Sequence, residues 1–472
     1  MDKEPVLIIG GGISGLSVAW WLSQQGIPSQ IWEAAEQPGG KIATDHQEGY
    51  LTERAASIVM NYRTEVNEFI EASGLSPLKT PRSASAEKNR YLIHNDSLVQ
   101  VPSSLPEMLN SPLWSLQGKA RLAAELFIPK KISEQESVSS FIQRRFGSEL
   151  LEKAMEPFVG GTLASDPDHA NAYSVLPRLT ALEKRYGSIS AGMLINKLLR
   201  RKTAHIQEAF SFEGGMSTLI AKLAQADDVD LRCGYRAKSL KKTADGWQVW
   251  ATTPKGDKFQ HVSQLVVCAP APQAANLLSP HDNELGALLR QIRYAPLTLV
   301  HLGMDRSMIK HPLDGSGFLT PRSGNMHING NLWLSRLFPG RAPKGKLLLT
   351  SYLGGARNPQ ACEWDTMRSV DTVIEDLSRL FGSRLAPEMM RVDRHKQALP
   401  LYHGDYFRLC RAITERCTQH SGLYLAANYI GGVSVRDRLL EGRRISLLLA
   451  KQRQPSGNKA AVTADCQLVA AR

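Results

Sequence analysis

The chain holds 472 residues, 42% of them hydrophobic and 22% charged, with a formal net charge of +12. Two or three packed units of a soluble globular protein are expected at this length and composition. Six scattered cysteines (Cys233, Cys268, Cys362, Cys410, Cys417 and Cys466) include no C-x-x-C pair. That argues against zinc, iron–sulfur clusters and a disulfide scaffold, and fits a reducing, cytoplasmic compartment. No metal is expected. Basic residues are spread along the chain without an RNP, helix-turn-helix or finger pattern, so nucleic acid is not the expected partner. Anionic lipid and an anionic small substrate account for the charge instead.

The first element is the aliphatic run VLII at residues 6 to 9, a buried strand that breaks into GGG. These three glycines also argue against a secretory signal. Gly10, Gly12 and Gly15 form G-x-G-x-x-G: Gly10 for the tight turn, Gly12 for room beside a pyrophosphate, Gly15 for close helix–sheet packing. A helix over residues 13 to about 25 then aims its amide end at that phosphate. The second strand, IPSQIWEA, ends on Glu33, whose carboxylate suits ribose hydroxyls and repels a 2′-phosphate. A dinucleotide other than NADP is the expected ligand. Immediately afterwards EQPGGKIATDHQEGYLTE places Gly39, Gly40 and Lys41. This loop resembles the continuation found in flavoproteins of the amine-oxidase and protoporphyrinogen-oxidase type, and that resemblance favours FAD over NAD.

Residues 103 to 205 read as helical segments punctuated by Pro106, Pro112, Pro129, Pro157 and Pro177. Lys130 and Lys131 beside Phe127 and Ile128 suit either a solvated helical face or an anionic membrane surface. Strands return from about 227, and LVVCAPAPQAANLL delivers a helix back to the nucleotide unit. Residues 290 to 400 suggest short strands between PRSGN and FPGRAPKG loops. LYLAANYIGGVSVRDRLLEGRRISLLLAK closes with a strand, a glycine turn and a helix. No apolar run of about 18 residues suggests a membrane span. The expected fold class is therefore α/β. A Rossmann-like FAD domain, discontinuous over 1–80, 206–285 and 400–455, would carry a mixed-sheet substrate domain (81–102 and 286–399). A helical domain would be inserted at 103–205, and 456–472 would form a disordered tail.

Further motifs point to one family. EPFVGGTLASDPDHANAYSVLPRLTALEKRYGSISAG, FEGGMSTLIAKLA, YAPLTLVHLGM, DGSGFLTP, INGNLWLSRLFPGRAPKGKLLLTSYLGG, HKQALPLYHGDY and GGVSVRDRLLEGRR resemble the FAD-dependent, oxygen-using protoporphyrinogen/coproporphyrinogen oxidase family. The likeness spans about residues 5 to 450. It implies FAD contacts from Gly10, Gly12, Gly15, Glu33, Gly39, Gly40 and Lys41. Ala237 would lie near the adenine, and Val433, Ser434 and Val435 near the flavin. It also implies Arg90 on a substrate propionate, where a guanidinium makes a forked pair with a carboxylate, and Gly317 and Leu319 against the tetrapyrrole. Peripheral contact with the inner face of the cell membrane and a homodimer are compatible with it.

The implied reaction is oxidation of protoporphyrinogen IX to protoporphyrin IX in three two-electron steps, with oxygen as acceptor and hydrogen peroxide as product, in haem biosynthesis. Coproporphyrinogen III oxidation, another amine-oxidase-superfamily oxidase or desaturase, and a porphyrin-binding protein without turnover are the alternatives. No catalytic side-chain acid or base is expected, because the macrocycle becomes aromatic and the cofactor carries the hard chemistry. His395 and His403 have no partner pattern for acid–base work. Two departures from the family pattern stand out: Ala55 and Ala56 in LTERAASIV, where Gly-Pro is usual, and Ala427 in place of a glycine. If such a glycine needs positive φ, alanine there costs about 1 kcal/mol.

Overall fold

A computed structural model of the chain describes residues 4–102, 105–199 and 208–453. The parts of the expected helical segment at 103–104 and 200–205, and the whole expected tail, lie outside the described residues. A five-stranded parallel sheet runs in the order Val229–Cys233, Ser29–Glu33, Val6–Ile9, Leu265–Val267, Leu423–Leu425. Its strands come from three distant parts of the chain. Because helices cover one face, and the antiparallel sheet of Arg236–Lys242, Trp247–Thr253 and Gly256–Val262 together with helix Ala271–Leu278 covers the other, Val6–Ile9 is apolar at every position rather than alternating. Val6 and Ile8 face one core with Leu16, Phe69 and Leu439, while Leu7 and Ile9 face another with Trp247, Leu278 and Ile413.

Helix Ile13–Ser23 and the last helix, Val435–Arg453, lie together on the first of these faces. They run in the same direction: Ser17 meets Gly442, and the Gln25 side chain donates to Ser446 Oγ at 3.0 Å. A Cβ on Gly442 would stand 2.1 Å from Ser17 Oγ, so the contact depends on glycine.

A second sheet has seven strands in the order Met389–Pro400, Tyr294–Asp305, Lys346–Gly354, Gly330–Leu332, Gly317–Leu319, Tyr91–His94, Ser97–Gln100. Two of these strands are 12 residues long, where the sequence suggests only short ones. Met389–Pro400 escapes notice because Arg391, Asp393 and His395 make it look polar, although all three belong to one face and pair across the sheet. The back of this sheet (Val300, Leu302, Phe318, Leu347, Leu349 and Leu353) is buried under Val370, Val373 and Leu377 of helix Thr366–Phe381. That leaves the front face for something else.

Between the two sheets, Val59–Asn61, Glu208–Phe212 and Lys79–Pro81 form a small antiparallel sheet. The chain from 105 to 199 is helical, including a π-turn over Leu151–Met155 that leads into Glu156–Leu163. Among the described residues no helix is long and apolar enough to cross a membrane.

Candidate functional site

The first strand ends in a turn that only glycine can make. Gly10 has φ +107°, and a Cβ on Gly15 would stand 2.0 Å from the Gly10 carbonyl oxygen. Gly12 is the open position, since a Cβ there finds nothing nearer than Gly40 Cα at 3.9 Å. The second glycine pair closes on this loop: Gly39 N–H donates to Gly11 O at 2.8 Å, and Gly12 and Gly39 form an isolated parallel bridge. Gly39 and Gly40 both take positive φ, +114° and +61°. Two glycine turns thus form one cradle with bare backbone on its walls, which is the shape a pyrophosphate needs.

At one end of the cradle the Glu33 carboxylate accepts from Gly11 N–H at 2.6 Å and Ala35 N–H at 2.8 Å. The Glu33 carbonyl accepts from Tyr235 N–H at 2.8 Å, and this bond brings the half-buried Ala237, at a β-bulge, to the same end. At the other end the last helix begins. Ser434 N–H donates to Asp437 Oδ2 at 3.2 Å and Asp437 N–H donates to Ser434 Oγ at 3.1 Å. This is a reciprocal cap that fixes the helix start beside Val433 and Val435. The open glycine walls, the acidic residue and two co-directed helix N-termini fit an FAD dinucleotide.

Lys41 does not aim into the glycine cradle. Its ammonium donates to the Ala398 carbonyl at 2.7 Å and lies 5.7 Å from the Tyr294 ring centroid. Burial lowers its pKa to about 8.

The front face of the seven-stranded sheet turns towards the nucleotide unit. Strand register places Leu92, Leu319, Gly330, Tyr352 and Leu299 in one row across five strands, with Gly317, Leu332, Thr350 and His301 in the next. Leu297, Leu319, Leu332 and Tyr352 are all partly exposed, although they lie on interior strands of a sheet whose other side is sealed. The loop at 54–58 stands opposite. The Arg54 carbonyl accepts from His395 Nε2 at 2.7 Å, Tyr352 reaches Ser57, and Arg54 Nε lies 3.0 Å from Asp45 and 3.8 Å from Asp393. Burial raises the Tyr352 phenol to about 12, so it stays protonated at neutral pH. From the helical segment, Gly161 completes the enclosure: a Cβ there would meet Leu319 Cδ2 at 2.4 Å and Asn329 O at 3.0 Å.

Gly317 itself has φ +134° and no room for a Cβ, which would fall 2.0 Å from Asn331 O. Its glycine is therefore demanded by strand pairing as well as by any approaching ring. Arg90 is exposed and has no carboxylate partner among the described residues. His395 is engaged with Arg54, and His403 Nε2 lies 3.0 Å from Ser165 Oγ. Ala55, Ala56 and Ala427 are not among the residues with positive φ, so the strain that the sequence suggested at these positions is absent. The backbone takes a path that alanine adopts freely. Ala427 is buried, and its carbonyl accepts from Arg438 Nη1 at 2.6 Å.

Sequence reasoning missed Leu297, Leu332, Tyr352 and Gly161. The period-two pattern along YAPLTLVHLGM and KLLLTSYLGG contains Leu297 and Tyr352, and INGNLWL contains Leu332, but only pairing shows which face is covered. Two further hollows, of about 350 and 360 Å³, open beside Asp168, the first between Glu156 and Arg322 and the second between Arg293 and His403. Neither is lined by residues of the glycine cradle, and neither is assigned to the reaction.

Residues 13–446 match the flavin containing amine oxidoreductase family. Mitochondrial protoporphyrinogen oxidase of Nicotiana tabacum is 30% identical over 473 aligned residues, covering 93% of this chain and 94% of that one. Coproporphyrinogen III oxidase of Bacillus subtilis is 26% identical over 463 residues, covering 93% and 97%. Among solved structures, a protein from Exiguobacterium sp. 255-15 assigned as a protoporphyrinogen oxidase superposes with a TM-score of 0.79 at 22% identity, covering 96% of this chain and all of that one. A putrescine oxidase variant superposes with a TM-score of 0.70 at 15% identity, covering 95% and 99%. The two structural likenesses speak for the fold.

Proposed function

The chain belongs to the flavin-containing amine oxidoreductase family, on the branch of protoporphyrinogen and coproporphyrinogen III oxidases, and from that premise we propose that it oxidises protoporphyrinogen IX to protoporphyrin IX. The reaction removes six electrons in three two-electron steps, with oxygen as terminal acceptor and hydrogen peroxide as product. It would serve haem biosynthesis. FAD, when bound, supplies the two-electron acceptor.

This chain's residues supply placement. Gly10, Gly12, Gly15, Gly39 and Gly40 hold the pyrophosphate on backbone, Glu33 the ribose, and Ala237 the adenine side. Lys41 adds positive charge between the cradle and strand Met389–Pro400. The capped helix start at Val433, Ser434 and Val435 offers amide dipoles where negative charge grows during the reaction. Leu319, Leu297 and Tyr352 cover an apolar face of the macrocycle, with Gly317 beside them. Arg90 pairs with a propionate. No side chain is assigned as base.

The observation that carries the reading is the group of partly exposed side chains on the front face, Leu297, Leu319, Leu332 and Tyr352, held opposite loop 54–58 at the edge of the dinucleotide unit. Purified holoenzyme given protoporphyrinogen IX, with coproporphyrinogen III in parallel, should consume oxygen and produce porphyrin fluorescence. A yellow protein inactive on both would overturn the assignment.

We further propose peripheral contact with an anionic membrane through the helical segment. Leu116 and Phe127 are each 85% exposed and Leu198 is 76% exposed, with Lys130, Lys131 and Lys197 exposed around them. Glu125 joins the two halves of this surface by accepting from Ile189 N–H and Ser190 N–H at 3.0 Å, so Leu126 and Phe127 abut helix Ile189–Leu199. Apolar tips within a cationic ring suit an interfacial anchor. Flotation with anionic vesicles but not neutral ones is expected; flotation with neither would refute the contact.

A further inference from the structure

Four arginines from separate segments gather where the small antiparallel sheet meets the helical segment. The Arg178 guanidinium lies 5.6 Å from the Tyr62 ring centroid, and that of Arg436 lies 5.4 Å from the same ring. Arg82 joins them through strand register. Met60 pairs with Ala209, whose carbonyl accepts from Arg82 N–H at 2.9 Å on the other side of strand Glu208–Phe212, and both Tyr62 and Arg90 act electrostatically on the Arg82 guanidinium. Arg436 also donates to the Met60 carbonyl at 3.3 Å. Arg90 follows on the same stretch of chain, at the start of the strand that pairs with Gly317–Leu319.

The cluster is short of negative charge. Arg82 is only 10% exposed, its Nε has no hydrogen-bond partner, and its one carboxylate neighbour, Glu87, lies 3.7 Å away and is 58% exposed. A long, solvated pair of that kind compensates a buried guanidinium poorly. Burial and the charge of Arg90 both press the Arg82 pKa downward, with the Glu87 carboxylate opposing them. Arg436 shares Asp437, whose carboxylate is also engaged with Ser434 N–H. Arg178 is exposed and has no carboxylate partner among the described residues. Arg82 and Arg178 therefore stand without a close carboxylate among the described residues, and with Arg436, which is paired to Asp437, they make a set of guanidiniums suited to a forked pair with an incoming carboxylate.

Strand Val59–Asn61 leads from the 54–58 loop, which faces Leu319, to Tyr62 at its far end, and helix Pro177–Tyr186 belongs to the same helical segment as Gly161. We propose that Arg82, Arg178 and Arg436, set around Tyr62, form a carboxylate-binding site for a second acidic side arm of the substrate, separate from the arm held by Arg90. The inference rests on the porphyrinogen reading. It makes recognition two-pronged: the two propionates of protoporphyrinogen IX hang from neighbouring pyrroles at one edge of the macrocycle, one on Arg90 and the other on the Tyr62 cluster beside it, with the ring system laid across the front face from that edge.

Binding of protoporphyrin IX and of its dimethyl ester to the FAD-loaded enzyme tests this. Arg82→Leu should weaken binding of the diacid about tenfold, a loss of about 1.4 kcal/mol, and leave the ester unchanged. Arg82→Lys should recover part of the loss, and Arg178→Leu should act in the same direction. Flavin absorbance and melting temperature show whether each variant is folded. If Arg82→Leu is unfolded, Arg178→Leu and Arg436→Leu carry the same comparison. Equal losses for diacid and ester, or none for either, would overturn the site while wild-type turnover continued. Wild-type enzyme inactive on both porphyrinogens would instead remove the functional reading beneath it.

Discussion

Arg341 reaches from the FPGRAPKG loop into the nucleotide unit and donates through Nη1 to Glu53 at 2.8 Å, with the two side chains 2% and 1% exposed. Glu53 also accepts from Met216 N–H at 2.9 Å and Thr44 Oγ1 at 2.7 Å, and Arg341 donates to Ser211. The pair therefore ties a loop of the seven-stranded sheet to the segment just before loop 54–58. Removing one partner leaves the other charged and buried. Arg341→Met should lower stability by about 3–5 kcal/mol, read from the denaturant midpoint. Adding Glu53→Gln should recover part of that, because the orphaned charge disappears.

Gly15→Ala should abolish FAD binding, since its Cβ would stand 2.0 Å from the Gly10 carbonyl oxygen inside the cradle. The purified variant should lack the yellow absorbance of bound flavin. Gly26→Ala is the control. A Cβ there meets nothing within 4 Å, so although its φ of +62° costs about 1 kcal/mol, it should keep its yellow colour.

The alanines at 55 and 56 lead to a prediction opposite in sign to the one their sequence suggests. Since neither residue has positive φ, Ala55→Gly relieves no strain and enlarges the freedom of the unfolded chain. It should destabilise by about 0.4–1 kcal/mol. A gain in stability would show that alanine is strained there after all.

Lys41 should make FAD affinity depend on pH. Its folded-state pKa is depressed to about 8, below the ordinary 10.5, because burial disfavours the ammonium. In the FAD-free protein the charge is therefore lost as pH rises through 8, and with it the attraction to an anionic dinucleotide. Titrating apoprotein with FAD should give affinity that falls between pH 8 and 10, and Lys41→Met should flatten that dependence. The stability linkage has the opposite sign. A lowered lysine pKa weakens the folded state below pH 8 and ceases to do so as pH rises towards 10.5, so apo Lys41→Met should be relatively more stable at neutral pH.

Gly161→Ala should act on substrate rather than on folding. Leu319 Cδ2 can swing away, but the Asn329 carbonyl at 3.0 Å is backbone, so the helix must back off or the hollow must reshape. Overpacking of this kind costs about 1–3 kcal/mol, and KM for porphyrinogen should rise about three- to tenfold with flavin content unchanged.

The glycine cradle was legible in the sequence because its chemistry is local. Gly10, Gly15 and Glu33 do their work within one strand–turn–helix–strand unit, and their spacing follows from the length of that unit. Strand Leu265–Val267 and helix Val435–Arg453 were also foreseeable from apolar runs bounded by a turn. The front face was not. Leu297, Leu319 and Tyr352 become neighbours only through register, and a one-residue slip would turn each to the sealed side. The pair Glu53–Arg341 was hidden for a similar reason: each residue looks like ordinary surface charge until the fold removes water from both. Ala55 and Ala56 misled because the expectation was about a backbone angle, which residue identity alone does not fix.

The contact of Ser17 with Gly442 has a bearing on biogenesis. Ser17 Oγ and the Leu439 carbonyl it bonds are 422 residues apart in the chain, so the two helices whose first turns flank the glycine cradle can meet only after everything between them has been synthesised. Locking of the nucleotide therefore waits on a long-range contact, and a variant lacking helix Val435–Arg453 should be colourless rather than merely slow.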